Sequence, residues 1–108
     1  MARGKRDQRK EAMPLPSEDE GTILCVVQDI IGGGFLEVLC DDGETYKAWI
    51  PGKMRRRVWM REGDVILFLP WGTPDKKGEV VYRYDKSEVK TLLDKGILPR
   101  DLLEEVVE

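Results

Sequence analysis

Between Thr22 and Tyr84 the chain carries five short apolar runs separated by glycine-containing turns, and this alternation restricts its fold more than any other feature. Thr22 to Ile31 is rich in Ile, Val, Leu and Cys and reads as a strand buried on both sides. Gly32-Gly33-Gly34 follows, and three glycines permit the positive φ angles of a tight hairpin turn. A phosphate-cradling loop is the other use of such glycines. No Lys-Ser or Lys-Thr follows, however, and neither P-loop nor dinucleotide-binding spacing is met. Phe35 to Cys40 is the second strand, with Leu36, Val38 and Cys40 on one face. Folding the chain at Gly33 sets Cys40 close to opposite Cys25. A reducing cytosol predicts a pair of buried thiols here rather than a disulfide.

Asp41-Asp42-Gly43 makes the next turn. Glu44 to Ile50 is the third strand, with Tyr46, Ala48 and Ile50 on one face and Lys47 and Trp49 on the other. Pro51-Gly52 ends it. Glu62-Gly63-Asp64 then turns the chain into Val65 to Leu69, a continuous apolar run that reads as a fully buried strand. Pro70 to Gly78 is a polar loop carrying Trp71, Lys76 and Lys77, and Glu79 to Tyr84 is the fifth strand. Short strands joined by short turns predict a small closed sheet, which also removes exposed edges. The simplest such closure with five strands is a Greek-key barrel of the oligonucleotide-binding kind.

The period changes after Tyr84. Asp85 and Glu88 have capping-box spacing, and Val89, Leu92 and Leu93 recur at helical intervals until Gly96. Pro99 suits the first turn of a second short helix carrying Leu102, Leu103 and Val106. The expected division is a flexible basic tail over residues 1–20, a barrel over 21–84, and a helical segment over 85–108 packed on it. Asp101, Glu104, Glu105 and Glu108 make that last segment acidic, a solvated end or a protein-binding tip.

The chain is acidic, with 21 Asp and Glu against 18 Lys and Arg, and has 41% hydrophobic residues, enough for one modest core. No apolar run approaches the roughly 20 residues needed to cross a bilayer, and no apolar segment of a secretory signal follows the basic N-terminus. A cytoplasmic monomer is expected. Two cysteines and no histidine leave the commonest general base and metal ligand out of reach. Neither a catalytic residue, a metal site nor a cofactor is expected. Asp41-Asp42 has the donor chemistry for a metal or a shared proton, yet an Asp-Asp-Gly turn needs no such role.

Against the acidic background, Lys53, Arg55, Arg56, Arg57 and Arg61 gather within a single connection after Gly52 with no acid among them. Concentrated cations point to an anionic partner, and guanidinium forks suit phosphate oxygens. Tyr46, Trp49 and Trp59 are interleaved with them. Lys47 and Trp49 share the outward face of their strand, the pattern of a nucleic-acid-binding strand; covering the edge of the core is an equal use for Trp49. Val58 and Trp59 read as anchors of the connection, which has room for a helical turn. In the tail, Arg3, Lys5, Arg6, Arg9 and Lys10 form a basic arm that serves solubility or orders on nucleic acid.

The run Gly52-Lys53-Met54-Arg55-Arg56-Arg57-Val58-Trp59 is similar to the signature segment of translation initiation factor 1A. Leu36 to Gly43 looks like that family's second strand and turn, and Asp64-Val65-Ile66-Leu67, Arg83-Tyr84-Asp85 and Leu98-Pro99 also fit. The likeness runs in order from about Gly21 to Leu103, and the chain resembles the short archaeal form, without a long acidic C-terminal extension. The resemblance implies an S1-like OB-fold barrel with a small helical subdomain. It implies binding to the small ribosomal subunit and its ribosomal RNA at the aminoacyl-tRNA site, subunit dissociation, and stabilisation of initiator methionyl-tRNA during start-codon selection alongside other initiation factors. Lys53, Arg55, Arg56 and Arg57 would contact ribosomal RNA; Lys47 and Arg61 join them on charge and strand parity alone. A general single-stranded RNA-binding protein of the cold-shock type is the alternative on the same fold.

Overall fold

The computed structural model describes residues 13–52, 54 and 60–107. Its strands are β1 (Ile23–Gly32), β2 (Phe35–Cys40), β3 (Thr45–Trp49), β4 (Val65–Pro70) and β5 (Lys77–Arg83), followed by helices α1 (Lys86–Asp94) and α2 (Arg100–Val107). The strands close a barrel in the order β1-β2-β3-β5-β4, with β4 returning to β1. All neighbours are antiparallel except β3 and β5, which run parallel. A parallel pair cannot be joined by a hairpin. Here the chain leaves β3, crosses to β4 on the far side of β5, and only then returns. That route requires the long connection in which the basic run lies.

The continuous apolar strands are explained by two cores. Cys25 and Val27 of β1 and Ile66 and Phe68 of β4 point into the barrel, with Leu36, Val38, Cys40, Ala48 and Val80. Leu24 and Val26 of β1 and Val65 and Leu67 of β4 point outward, and meet Leu92, Leu98 and Leu102 of the helical segment. Each fully buried aliphatic side chain of this set contributes about 1.5–3 kcal/mol. The helices therefore cover the wall of the barrel formed by β1 and β4. The opposite wall is open to solvent, and there β3 alternates: Ala48 is buried while Thr45 and Lys47 are exposed.

The turns follow the expected chemistry. Gly33 and Gly34 form a two-residue hairpin loop with φ of 64° and 86°, a conformation that side chains resist. In the Asp41-Asp42-Gly43 turn, one carboxylate oxygen of Asp42 accepts the Glu44 N–H at 2.9 Å and the other accepts the Tyr46 hydroxyl at 2.8 Å. Asp42 is thus a turn residue. Asp85 caps α1, accepting the Glu88 N–H, while the Glu88 carboxylate accepts the Asp85 N–H. At the other end Ile97 N–H bonds to Leu92 C=O and Gly96 N–H to Leu93 C=O, with Gly96 at φ 74°, which is a Schellman ending.

Two expectations are revised. Within residues 13–20, read as the last part of the tail, Met13 lies against the outer core and the Tyr84 hydroxyl donates to the Pro14 carbonyl at 2.5 Å, while residues 18–20 are exposed. Cys25 and Cys40 are joined as a disulfide rather than standing as free thiols. The reading as thiols rested on the compartment. The two are directly paired across β1 and β2, with Cα atoms 3.9 Å apart. The connection after β3 is anchored by Ile50, Met54 and Met60, which pack in the barrel interior; the anchors expected at Val58 and Trp59 lie outside the described residues. So do Arg3, Lys5, Arg6, Arg9, Lys10, Lys53, Arg55, Arg56, Arg57 and Glu108.

The parallel seam depends on one small residue. Gly78 faces Ala48 on β3 and Pro70 on β4, and a Cβ there would stand 2.4 Å from the Leu69 carbonyl oxygen and 2.5 Å from the Phe68 ring. Gly78→Ala is expected to destabilise the fold by about 1–3 kcal/mol through overpacking; an unchanged urea midpoint would refute this. The disulfide closes a separation of 15 residues, for which loop-closure entropy gives roughly 3 kcal/mol. Calorimetry with reductant should show a lower melting temperature than without, and equal temperatures would count against the bond.

Candidate nucleic-acid interface

Lys47 and Trp49 point outward from β3, as their parity requires. Lys47 is exposed, paired across the sheet with Glu37 on β2 and Lys77 on β5. Trp49 is half-buried and leans on the Phe35 ring of β2, with centroids 5.2 Å apart and planes at 58°. The Lys77 ammonium lies 5.8 Å from the centre of the Phe35 ring, within the range of cation–π attraction. Trp49 thus stands half-buried beside Phe35 on the outward face of the sheet.

Arg61 is exposed in the turn before β4, where its N–H donates to an Asp64 carboxylate oxygen at 2.9 Å. It lines a cleft between this turn and α1, together with Arg83, Asp85 and Lys86. Arg83 Nε stands 3.6 Å from the same Asp64 oxygen, an ion pair without a hydrogen bond. Lys47 instead lines a shallow depression with Ile31, Glu37, Tyr46 and Lys76. The structure therefore groups Lys47 with Trp49 and places Arg61 elsewhere. Between them runs the connection whose ends, Ile50 and Met60, are each only 8% exposed. The connection thus leaves and rejoins the barrel at buried residues.

The sequence reading missed Phe35, Lys77 and Arg83. Phe35 and Lys77 carry the right chemistry, but nothing local reveals that β5 lies beside β3. Not every cation is free for an external anion: Lys76 is ion-paired with Glu44, and Lys77 lies 3.5 Å from Asp75. Among the described residues no group of three or more His, Cys, Asp or Glu is placed to hold a metal ion. No helix among them is long and apolar enough to cross a membrane.

A closed five-stranded barrel in this strand order, with aromatic and cationic side chains on its open β2–β3 face, is an oligonucleotide-binding barrel, the OB-fold. Residues 10–106 match the family Translation initiation factor 1A / IF-1, and the chain belongs to that family. It is 71% identical over 107 residues to translation initiation factor 1A of Aeropyrum pernix, covering 98% of this chain and 96% of that protein. Over 102 residues it is 46% identical to the factor of Desulfurococcus amylolyticus, covering 94% and 88%. Over 92 residues it is 41% identical to that of Thermococcus kodakarensis, covering 84% and 79%. The solution structure of a translation initiation factor from the Wolbachia endosymbiont of Brugia malayi is a weak likeness. It has 20% identity and a TM-score of 0.47 over 66% of this chain and 85% of that one. A role in translation initiation follows from the family.

The tyrosines flanking these surfaces are held neutral. Tyr46 is pushed up to about 12, first by its hydrogen bond to Asp42. Tyr82 is pushed up to about 12 by burial and by its bond to Glu88, and burial also raises Tyr84. These are all 3 tyrosines of the chain. Their stabilising effect is complete below the ordinary phenol value of 10.0 and is lost as pH rises through about 12. Absorbance titration of the native protein should show no phenolate near pH 10, whereas the urea-unfolded chain ionises there; coincident curves would contradict the assigned bonds.

Proposed function

We propose that this protein binds the small ribosomal subunit at the aminoacyl-tRNA site through ribosomal RNA. On this reading it promotes subunit dissociation and stabilises initiator methionyl-tRNA during start-codon selection, as a non-enzymatic cytoplasmic monomer working with other initiation factors. The observation that carries the reading is family membership over nearly the whole chain, at 71% identity to one named translation initiation factor 1A. The division into a basic arm over residues 1–12, a barrel and a helical segment is part of the proposal.

The chemistry is electrostatic and steric. Lys53, Arg55, Arg56 and Arg57 supply cations for RNA phosphates from a connection tied to the barrel at Ile50 and Met60. Lys47 and Arg61 extend the contact on two sides. Arg3, Lys5, Arg6, Arg9 and Lys10 provide a basic arm joined to the body at Met13 and Pro14. The net charge of −3 opposes indiscriminate adsorption to polyanions. A general single-stranded RNA-binding role is the second reading. It draws support from the aromatic contact of Phe35 with Trp49, and equal affinity for small subunits and random oligonucleotides would favour it.

Co-sedimentation with purified small subunits over a salt series tests the mechanism. The logarithm of affinity should fall with the logarithm of salt by about 0.7–0.9 per phosphate engaged. Replacing Arg55, Arg56 and Arg57 together by Ala should flatten that slope while leaving the melting temperature unchanged. Removing residues 1–12, and stopping before Met13, should weaken binding without unfolding the barrel. Salt-independent binding by the intact protein would contradict the mechanism.

A further inference from the structure

Trp71 follows β4 at the start of the loop to β5, and it is 44% exposed. A lone exposed indole needs no explanation, but this one is held. Its backbone N–H donates to the Lys77 carbonyl at 2.9 Å and its ring Nε1–H donates to Glu79 Oε1 at 3.2 Å. Glu79 is also the direct partner of Trp49 across the β3·β5 seam. Glu79 thus holds Trp71 through its carboxylate and neighbours Trp49 in the strand register, and Trp49 continues the row to Phe35. The next residue, Gly72, takes φ 78° and has open space where a Cβ would be. Lys77, at the head of β5, sets a cation over the Phe35 end of the row.

We propose that Trp71 is a stacking platform for an unpaired nucleobase of RNA, and that Glu79 is the positioning residue that orients its ring. The inference rests on the reading that this barrel binds RNA, and it adds a base contact to what is otherwise a phosphate contact. The surface is the outward face of a sheet, which suits a flat ring better than it suits the knob of a protein anchor. Lys47 and Lys77, register partners on β3 and β5, lie toward the Phe35 end of the row. The Trp71–Glu79 bond fixes the indole before binding, so less side-chain freedom is lost when a base arrives. Stacking of this type tolerates sequence variation, because every base has a π-face.

The test compares two probes at one salt concentration: a short oligoadenylate, and an abasic oligoribonucleotide of the same length and charge. Trp71→Ala should weaken oligoadenylate binding about tenfold and leave abasic binding unchanged. Trp71→Phe should retain most of the affinity, since a ring remains. Glu79→Ala should weaken oligoadenylate binding, and Glu79→Gln, which keeps an acceptor for the indole N–H, should restore it. Equal oligoadenylate affinity for Trp71→Ala and wild type would overturn the proposal. So would a Trp71→Ala variant that loses binding to intact small subunits but not to oligoadenylate, since its partner would then be a protein. Wild-type protein that retains neither probe nor small subunits would instead remove the RNA reading beneath it. Loss confined to the Arg55, Arg56 and Arg57 variant, with Trp71→Ala unaffected, would leave the phosphate reading standing and sink this one.

Discussion

Two-sided burial of β1 and β4 is the constraint on which the rest of the molecule depends. A barrel of this size encloses few side chains, so its interior alone provides a small core. Here the same two strands are used twice. Cys25, Val27, Ile66 and Phe68 fill the inside, while Leu24, Val26, Val65 and Leu67 bind the helices on the outside. The helical segment is therefore part of the structural core. It also leaves the opposite wall, built from β2, β3 and β5, as the sheet face that must satisfy itself with solvent or a partner.

The parallel seam between β3 and β5 has the second largest consequence. It requires a long connection between Ile50 and Met60, both packed in the barrel interior, and the cationic run falls within that connection in the sequence. It also brings Lys77 and Glu79 beside Lys47 and Trp49, from more than twenty residues away in the chain. The seam closes because Ala48 and Gly78 are small enough for the Phe68 ring beneath them. Fold and surface chemistry meet in that row of residues: the inward half closes the barrel and the outward half carries rings and charges.

Charge placement separates what local ion pairs consume from what remains for a partner. Lys76, Lys77 and Arg83 each have a carboxylate near them, and Lys47 is exposed on the sheet beside its register partner Glu37. Asp42 and Asp64 have structural partners too: Asp42 bonds its own turn and Tyr46, and Asp64 accepts the Arg61 N–H. Asp42, which in isolation has the donor chemistry for a metal, is thereby drawn into turn geometry.

The local chemistry was legible from the chain alone. Glycines at positive φ set the hairpin at Gly33-Gly34 and the end of α1 at Gly96, and Asp85 with Glu88 announced the helix start. Alternation put Lys47 and Trp49 outward, and the unbroken apolar runs marked the strands covered on both sides. These properties depend on a few consecutive residues, whose steric limits and hydrogen-bond options do not need the rest of the fold. Tertiary structure alone decided the bond between Cys25 and Cys40, the docking of Met13 and Pro14 against Tyr84 and the outer core, the role of Met60 as an anchor, and the meeting of Trp71 with Glu79 beside Trp49. Each of these is a contact between segments whose distance in space is fixed by barrel closure and strand register. No pattern within a single segment encodes that distance.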